Sequence, residues 1–96
     1  MPKTPNYFRG RTLVITGAGS GIGRSTAAIF GREGANVVCA DIDEQSAVAA
    51  ARETEDAGGV ASGIHVDVTD RASVQDMVAM SIEIYGQIDF LFNSAG

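Results

Sequence analysis

The sequence predicts an α/β fold, the first half of a doubly wound unit: a parallel sheet of four strands in the order 3-2-1-4, with three helices. Three observations carry this. Four short apolar runs alternate with three stretches of helical periodicity. The segments joining consecutive runs are of helix length, as right-handed crossovers between parallel strands require. A glycine-rich turn follows the first run directly, at the place where such a fold begins its first helix.

Taken in order, residues 1–11 read as a polar lead-in, with Pro2, Pro5 and Gly10 opposing regular structure. The first strand covers about 12–16. The first helix covers about 22–33, with Ile22, Ala27, Ile29 and Phe30 inward and Gly34 near its C-terminal cap. The second strand is Asn36 to Asp41, apolar almost throughout, as a strand covered on both faces should be. Asp43 suits an N-cap for a helix of about 44–57 that ends at Gly58-Gly59. The third strand runs from about Val60 to Val66, with Gly63 inside it and His65 read as a strand histidine whose hydrogen bonds are met. Asp70 or Thr69 caps the third helix, whose stripe is Val74, Met77, Val78 and Ile82 and whose end is Gly86. The methionines here read as core. The fourth strand is 88–92, followed by Asn93-Ser94-Ala95-Gly96.

Composition narrows the function classes. Ninety-six residues allow one small domain, and an apolar share of 45% marks it as globular. A net charge of −5, with acidic residues spread along the chain, argues against a nucleic-acid partner. No apolar run approaches ~18 residues, so no membrane segment is expected and the chain reads as cytoplasmic. Cys39 is the single cysteine and lies in an apolar strand, where a buried thiol acts as a small hydrophobe. No zinc-type cluster or other metal site is present in the sequence.

The informative stretch is Thr16-Gly17-Ala18-Gly19-Ser20-Gly21-Ile22-Gly23, between the first strand and the first helix. Glycines let the backbone turn sharply and let a pyrophosphate approach with no Cβ in the way. The helix start then offers unpaired N–H groups and the positive end of its dipole. The spacing is G-x-x-x-G-x-G at Gly17, Gly21 and Gly23, with Gly19 as a fourth glycine, and not the strict G-x-G-x-x-G of many dinucleotide folds. A nucleoside-triphosphate P-loop is excluded, because it needs a glycine at Ala18 and a lysine at Arg24. A glycine loop without a ligand is the competing reading.

In a Rossmann-type sheet ligands sit at the carboxyl ends of the strands. The glycine turn, Asp41, Asp67 and Asn93 all fall there. Asp41 ends the second strand, 18 residues after Gly23, where its carboxylate can accept both hydroxyls of an adenine ribose. It would repel a 2′-phosphate, and neither Ser20 nor Ile42 supplies a compensating positive charge, so NAD is expected over NADP. The competing role for Asp41 is to end the strand and help cap the next helix. Asp67 could accept a bond from the adenine amino group while Val68 packs on the ring, or it could serve only as a helix cap. Tyr85 lies far from that rim and reads as packing.

These residues resemble the classical short-chain dehydrogenases/reductases, from Thr12 to Gly96. Thr16 to Gly23 matches that family's T-G-x-x-x-G-x-G cofactor motif completely. Asp41 matches its NAD-selecting acidic residue and Asp67-Val68 its adenine-contacting pair. Asn93-Ser94-Ala95-Gly96 is similar to its N-N-A-G motif, in which the first Asn ties strands together and the Ala-Gly backbone lies along the nicotinamide ribose. Ser94 stands in place of the second Asn, a change expected to be mild. The resemblance implies a cofactor site of Gly17, Gly19, Ser20, Gly21, Ile22, Gly23, Asp41, Ile42, Asp67, Val68, Asn93, Ala95 and Gly96.

It also implies what this chain does not carry. The family's catalytic serine, tyrosine and lysine, the last two in Y-x-x-x-K, lie beyond the N-N-A-G motif. Here the only lysine is Lys3, and neither Tyr7 nor Tyr85 has a lysine four positions on. No catalytic residue is assigned, and residues 12–96 are expected to be a partial dinucleotide-binding domain, inactive alone. The function implied is the NAD-binding part of an enzyme that oxidises an alcohol or reduces a carbonyl by hydride transfer. Its small-molecule substrate is bound once a C-terminal half completes it, and the full-length form is a homo-oligomer. The alternative is a stand-alone, non-catalytic NAD-binding module or an inactive remnant of a truncated gene.

Overall fold

A computed structural model describes residues 7–94. The elements run β1 (Thr12–Thr16), α1 (Gly21–Arg32), β2 (Asn36–Asp41), α2 (Glu44–Asp56), β3 (Val60–His65), α3 (Arg71–Tyr85) and β4 (Phe90–Asn93). The four strands form one parallel sheet in the order β3-β2-β1-β4. This is the predicted architecture, with β4 starting later than expected. Ahead of it Ile88 packs under the sheet, and the Asp89 N–H donates to the Thr12 carbonyl at 2.9 Å.

Strands β1 and β2 are buried on both faces, and alternate residues feed two cores. Leu13, Ile15, Val37 and Cys39 meet Ala27 of α1 and Ala50 and Ala51 of α2 on one side. Val14, Val38, Ala40, Ile64 and Val66 meet Met77 of α3 on the other. The period-two alternation of a strand sorts these residues between layers, so a continuous apolar run is what a sheet between helices needs. Phe8 closes the lower end of the first core against Phe30 and Phe90.

The helices meet the sheet on faces narrower than predicted. α1 buries Gly23, Ala27 and Gly31, spaced i, i+4, i+8, while Ile22 and Ile29 are exposed. Small residues on that face let the helix axis lie close to its neighbours. A Cβ on Gly31 would strike the Thr54 methyl, and one on Gly59 would lie 2.8 Å from Gly31 Cα. α3 buries Met77 and Ser81, with Val74 and Tyr85 packed beside them, whereas Val78, Met80 and Ile82 are exposed. Among the described residues α3 lies alone on its face, so residues one position round the helix have no neighbouring helix to cover them.

Helix ends follow the predicted caps. Asp43 accepts the Gln45 and Ser46 N–H groups at 3.1 and 3.3 Å. Asp70, not Thr69, caps α3 by accepting the Ala72 N–H at 3.0 Å. Tyr85 packs under the sheet with its hydroxyl 2.9 Å from Ser62 Oγ, as a packing residue would. His65 ends β3 exposed to solvent.

Candidate functional site

The carboxyl ends of β1, β2, β3 and β4 open on a cleft of about 650 Å³. That volume falls within the ~300–1,000 Å³ of small-molecule sites. Of the predicted site residues, Gly17, Ser20, Gly21, Ile22, Asp41, Ile42, Asp67 and Val68 line it. Gly19 and Gly23 are buried behind the lining. Asn93 stands at the end of β4, and Ala95 and Gly96 lie outside the described residues.

The turn from β1 to α1 is built from its glycines. Gly17 and Gly21 adopt φ of +74° and +58°, a region that side-chain-bearing residues rarely occupy. Gly23 has no room for a Cβ, which would press on the Gly17 carbonyl oxygen and lie 2.6 Å from Ser94 Oγ. The first turn of α1 is thereby seated directly on the turn that precedes it. Ala18 N–H donates to the Ala40 carbonyl at 3.0 Å, which docks the turn on the end of β2.

α1 differs from the other helices at its N-terminus. Asp43 and Asp70 cap α2 and α3, but Ser20 makes no side-chain cap, and the first turn of α1 holds no acidic residue. Among the described residues no side chain caps its N–H groups or its positive dipole end, which stand at the edge of the cleft. This is the environment an anion requires.

Asp41 sits across from that helix start. Its Oδ2 accepts the Gly19 N–H at 2.9 Å and its Oδ1 accepts the Asp43 N–H at 3.0 Å. The carboxylate therefore does hold strand end and helix start together, and ties the glycine turn as well. A carboxylate offers about four lone-pair sites, so roughly two remain for a ligand. Asp67 closes a local turn, accepting the Thr69 hydroxyl at 2.6 Å and the Thr69 N–H at 3.0 Å. Those bonds, the hydroxyl first, hold its carboxyl below the usual carboxylate range, so it is an ionised acceptor at neutral pH. Its own N–H donates to Ser73 Oγ at 2.9 Å, which anchors β3's end to α3. Around these polar groups stand three exposed aliphatic side chains, Ile22 at 73%, Ile42 at 67% and Val68 at 44% exposure. Apolar side chains this exposed beside a cleft suit a flat aromatic ligand.

On the opposite wall, Thr16 Oγ1 donates to Asn93 Oδ1 at 2.7 Å and Ser94 N–H to the Thr16 carbonyl at 3.0 Å. These bonds lock the ends of β1 and β4 together. Ser94 Oγ also donates to the Gly17 carbonyl at 3.2 Å. Sequence reasoning did not single out Val66, Thr69, Phe92 or Ser94 as cleft residues, although all four line it. Their signal was positional only: Val66, Phe92 and Ser94 lie one residue from a strand's carboxyl end, and Thr69 lies four residues beyond β3.

Residues 11–96 match the short chain dehydrogenase family. The chain belongs to that family. It is 38% identical over 89 residues to a 3-oxoacyl-(acyl-carrier-protein) reductase of Thermotoga maritima, covering 93% of this chain and 36% of that protein. Among solved structures it is similar to a hydroxysteroid dehydrogenase from Escherichia coli, with a TM-score of 0.91 and 34% identity, over 96% of this chain and 39% of that one. It is also similar to an NAD+-bound xylitol dehydrogenase, with a TM-score of 0.86 and 33% identity, over 94% of this chain and 35% of that one. This short-chain dehydrogenase chain thus spans between a third and two fifths of the length of these relatives. Among its described residues there is no cluster able to hold a metal ion, and no helix long and apolar enough to cross a membrane.

Proposed function

We propose that these residues form the NAD-binding part of a short-chain dehydrogenase that oxidises an alcohol or reduces a carbonyl compound. The observation that carries the reading is the pairing of an uncapped helix N-terminus with a half-buried carboxylate across one cleft. The helix start suits a pyrophosphate, and Asp41 suits a ribose diol. Ile42 and Val68 flank the adenine, Asp67 accepts from its amino group, and Gly17, Gly19, Ser20, Gly21, Ile22 and Gly23 shape the phosphate turn. Asn93 holds the β1–β4 junction, and the family resemblance assigns Ala95 and Gly96 to the nicotinamide ribose. When bound, the cofactor supplies a hydride acceptor or donor, and this chain's residues bind and orient it. The proton transfer and the small-molecule substrate belong to residues beyond these motifs, so the chain alone turns over no substrate. A homo-oligomer and a cytoplasmic setting complete the proposal.

Selectivity rests on Asp41. A 2′-phosphate beside this carboxylate would be repelled by ~4 kcal/mol per unit charge at ~4 Å and an effective dielectric near 20. Titration of the folded chain with NADH and NADPH, followed by nicotinamide fluorescence, tests this. Saturable NADH binding, weaker NADPH binding and loss of the NADH preference in Asp41→Ala are expected. Equal affinity for both nucleotides in the unmodified chain would remove NAD selection from the account.

A further inference from the structure

The Gly19 residue is gripped from both sides. Its N–H donates to Asp41 Oδ2 at 2.9 Å, and its carbonyl accepts Arg24 Nη1 at 3.2 Å. Arg24 is aimed in turn by α2: Nε donates to Glu53 Oε1 at 2.8 Å and Nη2 to Glu53 Oε2 at 2.6 Å. A planar guanidinium bonded through two prongs to one carboxylate has a defined orientation, so the third nitrogen is delivered to the turn.

We propose that Arg24 and Glu53 are positioning residues for the cofactor turn, through which α2 sets the orientation of the Gly19–Ser20 peptide. The proposal rests on the nucleotide-binding reading of the cleft. In a trans peptide the N–H lies opposite the carbonyl. Holding the Gly19 carbonyl against Arg24 therefore turns the Ser20 N–H to the other side, and Ser20 is a cleft residue. A flipped peptide would present a carbonyl oxygen in place of a donor, and its partial negative charge opposes a phosphate. Glycine makes such a flip cheap, because no Cβ restricts its backbone. Gly19 also cannot gain a side chain to anchor itself, since a Cβ there would lie 2.5 Å from Ser46 Cβ. The restraint has to come from outside the turn, and Arg24 supplies it.

The pair is not placed for global stability. The Arg24 and Glu53 side chains are 35% and 54% exposed, and exposed ion pairs contribute little to folding. This separates a positioning role from a merely structural one. Glu53→Gln removes a negative charge and leaves Arg24 free. If Arg24 acted only as a positive charge near the phosphates, Glu53→Gln would tighten NADH binding. If Glu53 aims Arg24, the same change weakens it.

The experiment measures NADH affinity and amide hydrogen exchange in the 15N-labelled chain, with Glu53→Gln and with Arg24→Lys, which keeps the charge but loses the fork. Expected are an about fivefold weaker NADH affinity in both variants, faster exchange at the Gly19 amide, and unchanged exchange at Val38 and Cys39. Unchanged Gly19 exchange in Glu53→Gln overturns the proposal, as does NADH binding as tight as or tighter than in the parent chain. If the folded parent chain binds no NADH, the nucleotide reading has failed, and the Gly19 amide alone decides whether the ion pair positions the turn.

Discussion

Replacing Gly23 by alanine tests how tightly the glycine turn is seated on α1. The new methyl would lie 2.6 Å from Ser94 Oγ and 3.0 Å from the Gly17 carbonyl carbon, and would press on the Gly17 oxygen. Ordinary contact begins at ~3.5 Å, so the helix start or the turn must shift by about 1 Å. Overpacking of this kind costs ~1–3 kcal/mol, and alanine returns ~1 kcal/mol of helix propensity. The net loss is about 1 kcal/mol, a fall in Tm of ~4–8 °C for a domain of this size. The functional loss should be larger, because a ~1 Å displacement of a binding group is felt directly by the ligand. NADH fluorescence titration should show affinity reduced at least ~10-fold in the folded variant. Gly63→Ala serves as the contrast. Its methyl would meet the α2 backbone, 2.7 Å from Val48 Cα and 2.8 Å from Val48 N, away from the turn. It should lower Tm at least as much as Gly23→Ala, yet leave NADH affinity of the folded fraction within about twofold, since cavity-side strain far from a site seldom couples to it. A Gly23→Ala chain that melts lower but binds NADH like the parent would refute the seating argument.

Three further outcomes follow from the packing. Thr12 is fully buried, and its hydroxyl has no hydrogen-bond partner among the described residues. Thr12→Val should stabilise the chain by ~1 kcal/mol in chemical denaturation, because it removes an unpaid desolvation without changing shape. Burial pushes the Cys39 thiol from its ordinary 9.0 up to about 11. Its raised value means stability is intact below pH 9 and declines as pH climbs toward 11, where the unfolded thiol ionises first. Thermal melts across that range should show the decline, and a Cys39→Ala chain should show less of it. Leu91 and Phe92, 64% and 37% exposed on the open edge of β4, make the isolated 96-residue chain prone to self-association. Leu91→Lys should lower the apparent mass in sedimentation, and a monodisperse parent monomer would contradict that.

β1 and β2 were legible because burial on both faces imposes near-continuous apolar runs, and Asn36 to Asp41 shows no other plausible use. Asp43 and Asp70 were legible because a cap acts within two or three residues of its own position. The glycine turn showed its place and its backbone in its spacing, between β1 and α1 with Gly17 and Gly21 at positive φ. The contact face of α1 was not legible, since close packing there is made by Gly23, Ala27 and Gly31, which a search for large apolar residues passes over. Exposure of Val78 and Ile82 was hidden for a different reason: periodicity shows an apolar stripe but not how many neighbours cover it. The bond network of the site was the least visible. Arg24 and Glu53 are 29 residues apart, and Thr16 and Asn93 are 77 apart, so only the folded sheet brings them together.

The most direct test is the pattern of backbone amide shifts when NAD+ is added to the 15N-labelled chain. The account predicts saturable shifts at Gly17 to Gly23, at Asp41 and Ile42, and at Asp67 and Val68, with the outer faces of α2 and α3 unmoved. A folded chain whose shifts stay unchanged, or move only outside this cleft, would contradict it.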